Sequence, residues 1–487
     1  MTMISSVVAK AGTVSDNGRL AVRSWRHAQA AEMSHVQSSP SGGGQSTVAA
    51  PGDGPGTIGQ TGVAGGRPAP RLSSVPCPFC SMLCDDLVLE STSGGGLRVV
   101  ENGCTRAVAG FERPSLRVEP RIAGKPATRE DAYARAAALL RDAIQPLFAG
   151  LGTDVDGMRA ALSLADRTGG IVDHMHGAAM AANVATVQGH GWMTTTLSEV
   201  KNRADVLLFI GTDAVRHHPR FFERVVWNPQ SLFGLASEER TVIYLGADLD
   251  TQPGVSPGGR APEDIRCERE RLCEVVLALR ALFAGAALKA KTVAGVKTAV
   301  LATLIERLRG ARYAVILWAA GDLDPQSADL TIEAIVDLIN DLNERTRSAG
   351  LPLGGNDGGM SAQSVTSWQS GFPPCTSFAP GYPVHDPRRY ATKRLLNAKA
   401  VDCLFWISSL GPTPPPEAPA VPTVILGLEA PRPPRSPEVF LPVATPGVDH
   451  AGQLVRLDSV VSLPLRRLRD SGLPSVAEAL AAIEQAL

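Results

Sequence analysis

Six short apolar runs punctuate the chain from residue 146 onward: Pro146–Ala149, Val206–Ile210, Val242–Leu245, Ala314–Trp318, Cys403–Ile407 and Val439–Val443. They are continuous rather than alternating, the pattern of strands buried on both faces, and helical periods separate them. They predict parallel sheets covered by helices on each side, and their number fits two α/β domains. Several runs end in glycine and an acid, as in Ile210-Gly211-Thr212-Asp213, Leu245-Gly246-Ala247-Asp248 and Ala320-Gly321-Asp322. Ligands of open α/β sheets bind at such carboxyl ends. Thr128 precedes Asp131 at capping-box spacing, and Ala132, Ala136, Leu139, Leu140 and Ile144 share one helical face, which predicts a helix from residue 129. The most apolar long window, around Leu272–Leu288, is broken by Glu274 and Arg280 and reads as a buried or amphipathic helix rather than a membrane span.

The pattern fails at the N-terminus. Residues 1–74 are rich in Ser, Gly, Ala and Pro, bury too little apolar area to offset their ordering entropy, and are expected to be disordered. From Pro76 the character changes: the runs Asp86–Glu90 and Leu97–Glu101 flank Gly94-Gly95-Gly96, a hairpin in a small β-rich module. The Pro-rich stretches 412–422 and 431–437 read as surface loops. The division expected from this pass is a disordered extension, 1–74, a Cys-rich module, 75–126, a discontinuous α/β domain, 127–173 plus 311–487, and an inserted α/β domain, 174–310.

Composition narrows the class. At 487 residues and 44% hydrophobic content the chain can bury several cores. A net charge of −1 with 20% charged residues provides no basic field for nucleic acid or an acidic membrane surface. Eight cysteines are too few for a disulfide framework in a chain this long, and four of them fall between Cys77 and Cys104, which predicts a reducing compartment. No secretory signal pattern opens the chain, so the expectation is a soluble cytoplasmic protein.

The cysteine cluster is the clearest chemical signal. Cys77-x2-Cys80-x3-Cys84 puts three thiols on one tight turn, and Cys104 returns after the hairpin to complete a set of four. Soft sulfur ligands at this spacing suit an iron–sulfur cluster or, less naturally, zinc, whose sites usually show a second Cys-x2-Cys knuckle. The bland alternative is four buried thiols that hold nothing. Cys267, Cys273, Cys375 and Cys403 read as ordinary core or loop residues.

The run Cys77-Pro78-Phe79-Cys80-Ser81-Met82-Leu83-Cys84-Asp85-Asp86 resembles the opening motif of the B subunit of formylmethanofuran dehydrogenase. Later segments agree in the same order: Gly211-Thr212-Asp213 through His218-Pro219-Arg220, then Asn356-x-x-Gly359, Ser367-Trp368-Gln369-Ser370-Gly371-Phe372-Pro373, Gly381-Tyr382-Pro383, and Pro446-Gly447-Val448 through Arg456-Leu457-Asp458. The resemblance spans about residues 75–470. It implies the α/β fold of the molybdopterin oxidoreductases, with parallel-sheet Rossmann-like domains behind a small Cys module and without the C-terminal β-barrel. It also implies life inside a complex.

Three departures qualify the activity that the resemblance implies. Redox members of the family place a cysteine before His-Gly as a thiolate ligand to tungsten or molybdenum; here the stretch is Asp173-His174-Met175-His176-Gly177, and the neutral thioether of Met175 is a poor ligand for a high-valent metal. Asp173 is the other conceivable ligand, and His176 is either a remnant of the family's proton-handling pair or a loop residue hydrogen-bonded locally. Asp213 stands where the family has Asn, with Asp248 and Asp250 after the next strand, and uncompensated carboxylates there would repel a pterin pyrophosphate. Leu353-Gly354-Gly355 replaces the family's Arg-Gly-His. Molybdopterin or tungstopterin is therefore not expected, and Met175, His176, Gly211, Asp213, Asn356 and Gly359 are read as vestigial positions of a pterin site. A [4Fe–4S] cluster on the four cysteines, zinc, or no metal remain open. The departures resemble the B subunit of the formyltransferase/hydrolase complex of methylotrophic bacteria. That likeness implies a non-catalytic scaffold in one-carbon metabolism. Its partner subunits would move formyl groups from a tetrahydromethanopterin-type to a methanofuran-type carrier and release formate. Arg388, Arg389, Lys393 and Arg394 are the nearest basic cluster for an acidic carrier tail. Trp368, Phe372 and Tyr382 are expected to pack the crevice loops, and His217 and His218 to anchor the following helix.

Overall fold

The computed structural model describes residues 70–115, 118–417, 421–430 and 436–487, so residues 1–69 of the expected extension and parts of both Pro-rich stretches lie outside the described residues. The first strand, Arg71–Val75, begins inside the segment expected to lack order. Its Leu72 pairs with Leu89 and its Val75, fully buried, with Leu87. A Ser-containing stretch with two apolar anchors is thereby recruited as the third strand of the hairpin formed by Leu87–Ser91 and Leu97–Glu101.

Five parallel strands make the smaller of two main sheets, in the spatial order Glu263–Ile265, Thr241–Leu245, Val206–Ile210, Ala314–Trp318, Ser348–Pro352. Counted along the chain this is 3-2-1-4-5, the order of a Rossmann half. Side chains of Val206–Ile210 alternate between two cores. Leu208 and Ile210 join Val275, Leu279, Ile335 and Ile339 of the helices Leu272–Phe283 and Ala328–Leu342, whereas Leu207 and Phe209 meet the cysteine module through Val75, Leu87 and Phe111. Phe209 is the hub of that second core, stacked on Phe222 at 5.4 Å and Tyr244 at 5.2 Å. After residue 310, Ala314–Trp318 pairs with Val206–Ile210 and Ser348–Pro352 with Ala314–Trp318, so both strands belong to this sheet, beyond the boundary expected at 310. Apolar runs announce strands but not their partners.

The larger sheet has nine strands, with a parallel centre in the order Ile171–Val172, Pro146–Gly152, Cys403–Ser408, Thr423–Gly427, Val439–Pro442. Along the chain this is 2-1-3-4-5, the flavodoxin-like order. The helix before it starts as expected: Thr128 Oγ1 accepts from the Asp131 N–H at 3.1 Å and opens Arg129–Asp142. Ile144, expected on its buried face, lies beyond the helix and is exposed, because Asp402 takes the backbone N–H groups of Ile144 and Gln145. Among the described residues, no helix is long and apolar enough to cross a membrane.

Candidate functional site at the two switch points

A parallel sheet opens a crevice where its strand order reverses, and this chain has two. In the larger sheet the reversal falls between Pro146–Gly152 and Cys403–Ser408; in the smaller, between Val206–Ile210 and Ala314–Trp318. The segment Gly354–Gly359, which follows the last strand of the smaller sheet, reaches both. Asn356 Nδ2 donates to the His217 carbonyl beside the smaller sheet, and the Asp357 carbonyl lies near Gly152 of the larger one.

At the larger sheet's switch point, Met175 is half-buried with its methyl group close against Gly152: a Cβ added there would stand 3.0 Å from Met175 Cε. His174 is buried, accepts the His176 N–H at its Nδ1 (3.0 Å) and meets the Asp357 carbonyl through Nε2 (3.0 Å), which places its proton on Nε2. His176 is exposed and pairs with the Asp357 carboxylate at 2.9 Å. Burial first, and the neighbouring His176 second, push His174 down to about 4, while His176 holds the Asp357 carboxyl low against its own burial. Asp173 does not face the crevice. Its carboxylate accepts from Thr392 N–H (2.7 Å), Thr392 hydroxyl (2.6 Å), His174 N–H (2.8 Å) and the Cys375 thiol (3.1 Å). Gly359 lies close against its neighbours: a Cβ there would approach Met180 Cε to 2.6 Å and His174 Cε1 to 3.2 Å, so those side chains would have to shift.

The smaller switch point is closed by its own side chains. Asp322 accepts the Thr212 hydroxyl at 2.8 Å and pairs with His217 Nε2 at 2.9 Å. Asp213, expected to be uncompensated, is instead buried and accepts backbone N–H groups of Arg216 (3.1 Å) and Asp250 (3.4 Å), so the loop itself neutralises it. Gly211 has φ +66°, and a Cβ there would meet Leu323 at 2.8 Å. His217 thus pairs across the crevice rather than anchoring a helix. His218 is wholly buried, and neither ring nitrogen has a hydrogen-bond partner; burial, then His217 and Arg106, push it down to about 3.

The cysteine loop roofs this junction. Cys77, Cys80 and Cys84 are buried and Cys104 partly so, and all four are free thiols. The Cys77 N–H donates to the Cys84 carbonyl at 2.8 Å, which closes the turn, with Leu83 at φ +48°. Burial, with mutual repulsion among the thiols, raises Cys77 well above its ordinary value, Cys80 to about 11 and Cys84 to about 12; Arg106 opposes this at Cys80, and Arg224 and Arg220 oppose it at Cys84. Protons therefore sit on these sulfurs near neutrality until a metal replaces them. Among the described residues, the trio of His, Cys, Asp or Glu ligand atoms lying mutually within 4.8 Å is His190, Glu333 and Asp337.

The separate motifs meet here in space. Ser81, between Cys80 and Cys84, donates its N–H to Asn356 Oδ1 (3.0 Å), its hydroxyl to the Gly354 carbonyl (2.5 Å), and its carbonyl accepts the Leu457 N–H (2.9 Å). Arg220 makes a bidentate pair with Asp86 at 2.7 and 2.8 Å and also holds Glu223. Of the positions singled out from sequence, Met175, His176 and Gly359 group at the larger switch point, Gly211 and Asp213 line the smaller, and Asn356 ties the smaller one's His217 to Ser81 of the cysteine loop. Ser81, His174 and Asp357 were not picked out, although each lies inside or beside a matched motif; Asp322 was visible as a strand-ending acid. Replacing Asn356 with Ala should orphan the buried Ser81 N–H and His217 carbonyl and destabilise the chain by about 3 kcal/mol. Hydrogen exchange at residues 77–84 is the check, and unchanged protection would show that the bridge is not used.

The fold is a two-sheet α/β arrangement of the kind seen in acetylene hydratase from Pelobacter acetylenicus, whose structure aligns with a TM-score of 0.55 over 85% of this chain and 69% of that one, at 10% identity. The solved formyltransferase/hydrolase complex from Methylorubrum extorquens, in complex with methylofuran, contains a chain that aligns with a TM-score of 0.62 at 27% identity, covering 75% of this chain and 98% of that one. In sequence, the B subunit of that organism's complex is 30% identical over 296 residues, 61% of this chain and 75% of the relative. The B subunit of the tungsten-containing formylmethanofuran dehydrogenase 2 of Methanocaldococcus jannaschii is 27% identical over 418 residues, 82% of this chain and 94% of the relative. No family model matches the chain. The chain belongs to the family formed by the B subunits of formylmethanofuran dehydrogenase and of the formyltransferase/hydrolase complex.

Proposed function

We propose that this chain is the non-redox, structural B subunit of a formyltransferase/hydrolase complex in one-carbon metabolism. Partner subunits carry out formyl transfer between a tetrahydromethanopterin-type and a methanofuran-type carrier and the release of formate. The observation that carries the reading is the sulfur at the larger switch point. Met175 offers a neutral thioether, and the two groups that could replace a thiolate, Asp173 and Cys375, face each other in the core, where the thiol donates to the carboxylate. Neither crevice fits an anionic pterin dinucleotide. Asp357 and Asp322 place carboxylates at the strand ends, and Leu353 is buried where the family has a cation.

The four cysteines do fit a metal group. Three thiols on the Cys77-x2-Cys80-x3-Cys84 turn and a fourth after the hairpin, with no second Cys-x2-Cys knuckle, suit a [4Fe–4S] cube better than tetrahedral zinc. Cys77, Cys80, Cys84 and Cys104 would hold it, with Arg106, Arg220 and Arg224 offsetting its negative charge. Bound there, the cluster supplies a cross-link between the module's turn and the helix that begins after Cys104.

An active formylmethanofuran dehydrogenase subunit is the second reading, favoured by the near full-length match to the tungsten enzyme. Reduction of a viologen dye by formyl-methanofuran separates the two. The structural reading predicts no rate above the enzyme-free background, and steady dye reduction by the purified complex would overturn it.

A further inference from the structure

The hairpin that ends the larger sheet is built to be covered. Its last strand, Val384–His385, forms the sheet edge. Around it three aromatic side chains face solvent: Trp368 is 66% exposed, Tyr382 62% and Phe372 38%. The expectation that they pack the crevice loops is thus not met for Trp368 and Tyr382, which are mostly exposed. Phe372 is nonetheless held in place, its ring stacked on His385 with centroids 6.1 Å apart and planes 9° from parallel. Large exposed apolar side chains clustered on one edge mark an interaction surface, and ordered aromatics bind with little further loss of freedom.

Charge says what kind of partner fits. Arg388, Arg389, Lys393 and Arg394 are exposed beside the hairpin, and none has an ion pair among the described residues. The local acid, Asp386, is spent on the backbone N–H groups of Arg388 and Arg389 (3.0 and 2.8 Å). An aromatic centre flanked by unpaired guanidinium groups is the composition of a protein–protein interface rather than of a solvated face.

We propose that this edge is the docking face for another protein subunit of the complex, one presenting an acidic rim around apolar pockets. The inference rests on the reading of the chain as a complex subunit. The test is hydroxyl-radical footprinting of Trp368, Phe372 and Tyr382 in the complex isolated through a tag on this chain, beside the same full-length chain alone. Oxidation of all three should fall severalfold in the complex, because a desolvated anchor is screened from the radical. The charge reversals R388E and R389E with W368S should release one subunit while leaving the chain's own melting midpoint unchanged. Equal oxidation in both samples overturns the docking face while leaving the subunit reading intact. Protection already present in the isolated chain also overturns it, by assigning the cover to this chain or a second copy. Failure of any subunit to accompany the tagged chain overturns the subunit reading itself.

Discussion

Lowering the pH from 7 to 4 should destabilise the folded chain by several kcal/mol. His174 and His218 are buried and resist protonation, with folded values of about 4 and about 3 against an ordinary 6.5. Between those values the unfolded chain takes up protons that the folded chain refuses. The stability both histidines confer is therefore complete above 6.5 and lost as pH falls through the window toward 4 and then 3. At about 1.4 kcal/mol per unit, roughly 3 kcal/mol attaches to His174 alone and somewhat more to His218. Asp173, whose burial raises its folded value, acts in the opposite sense and offsets part of the loss. Urea midpoints measured at pH 7, 5.5 and 4 test this, and His218→Gln should flatten the curve. An equal midpoint at pH 7 and pH 4 would contradict the assignment.

Asp173→Ala should cost about 4 kcal/mol, because two backbone N–H groups, a hydroxyl and a thiol converge on that carboxylate and would be left unpaired in the core. Relief of a buried charge returns part of the loss, which keeps the figure below the sum of the bonds. The same change frees the loop that carries Met175 and His176, so thermal melting should fall together with hydrogen-exchange protection at residues 174–177. A melting point within a degree of wild type would show that water replaces the carboxylate.

Sequence pattern located most of the strands but not the sheet each one joins. Val206–Ile210, Ala314–Trp318 and Cys403–Ser408 were legible because a strand covered on both faces must be apolar throughout. Thr423–Gly427, central in the larger sheet, was not, since prolines on either side disguise it as part of a loop. Ser348–Pro352 was missed because Ser, Gly and Pro dilute its apolar signal, although Gly350 is what admits the Trp318 ring. At the site, the cysteine turn and the motif order could be read directly. The Ser81–Asn356–His217 bridge could not, because its partners lie far apart in sequence and only the folded chain brings them together. Asp213 shows the same limit: its charge was evident, its neutralisation by loop N–H groups was not.

The proposed reading, a cluster site kept without a metal–pterin centre, predicts a distinctive elemental composition, which can be measured on the complex purified without oxygen. About four iron atoms per chain are expected, with molybdenum, tungsten and zinc all far below one per chain. One tungsten or molybdenum per chain would contradict the loss of the pterin centre.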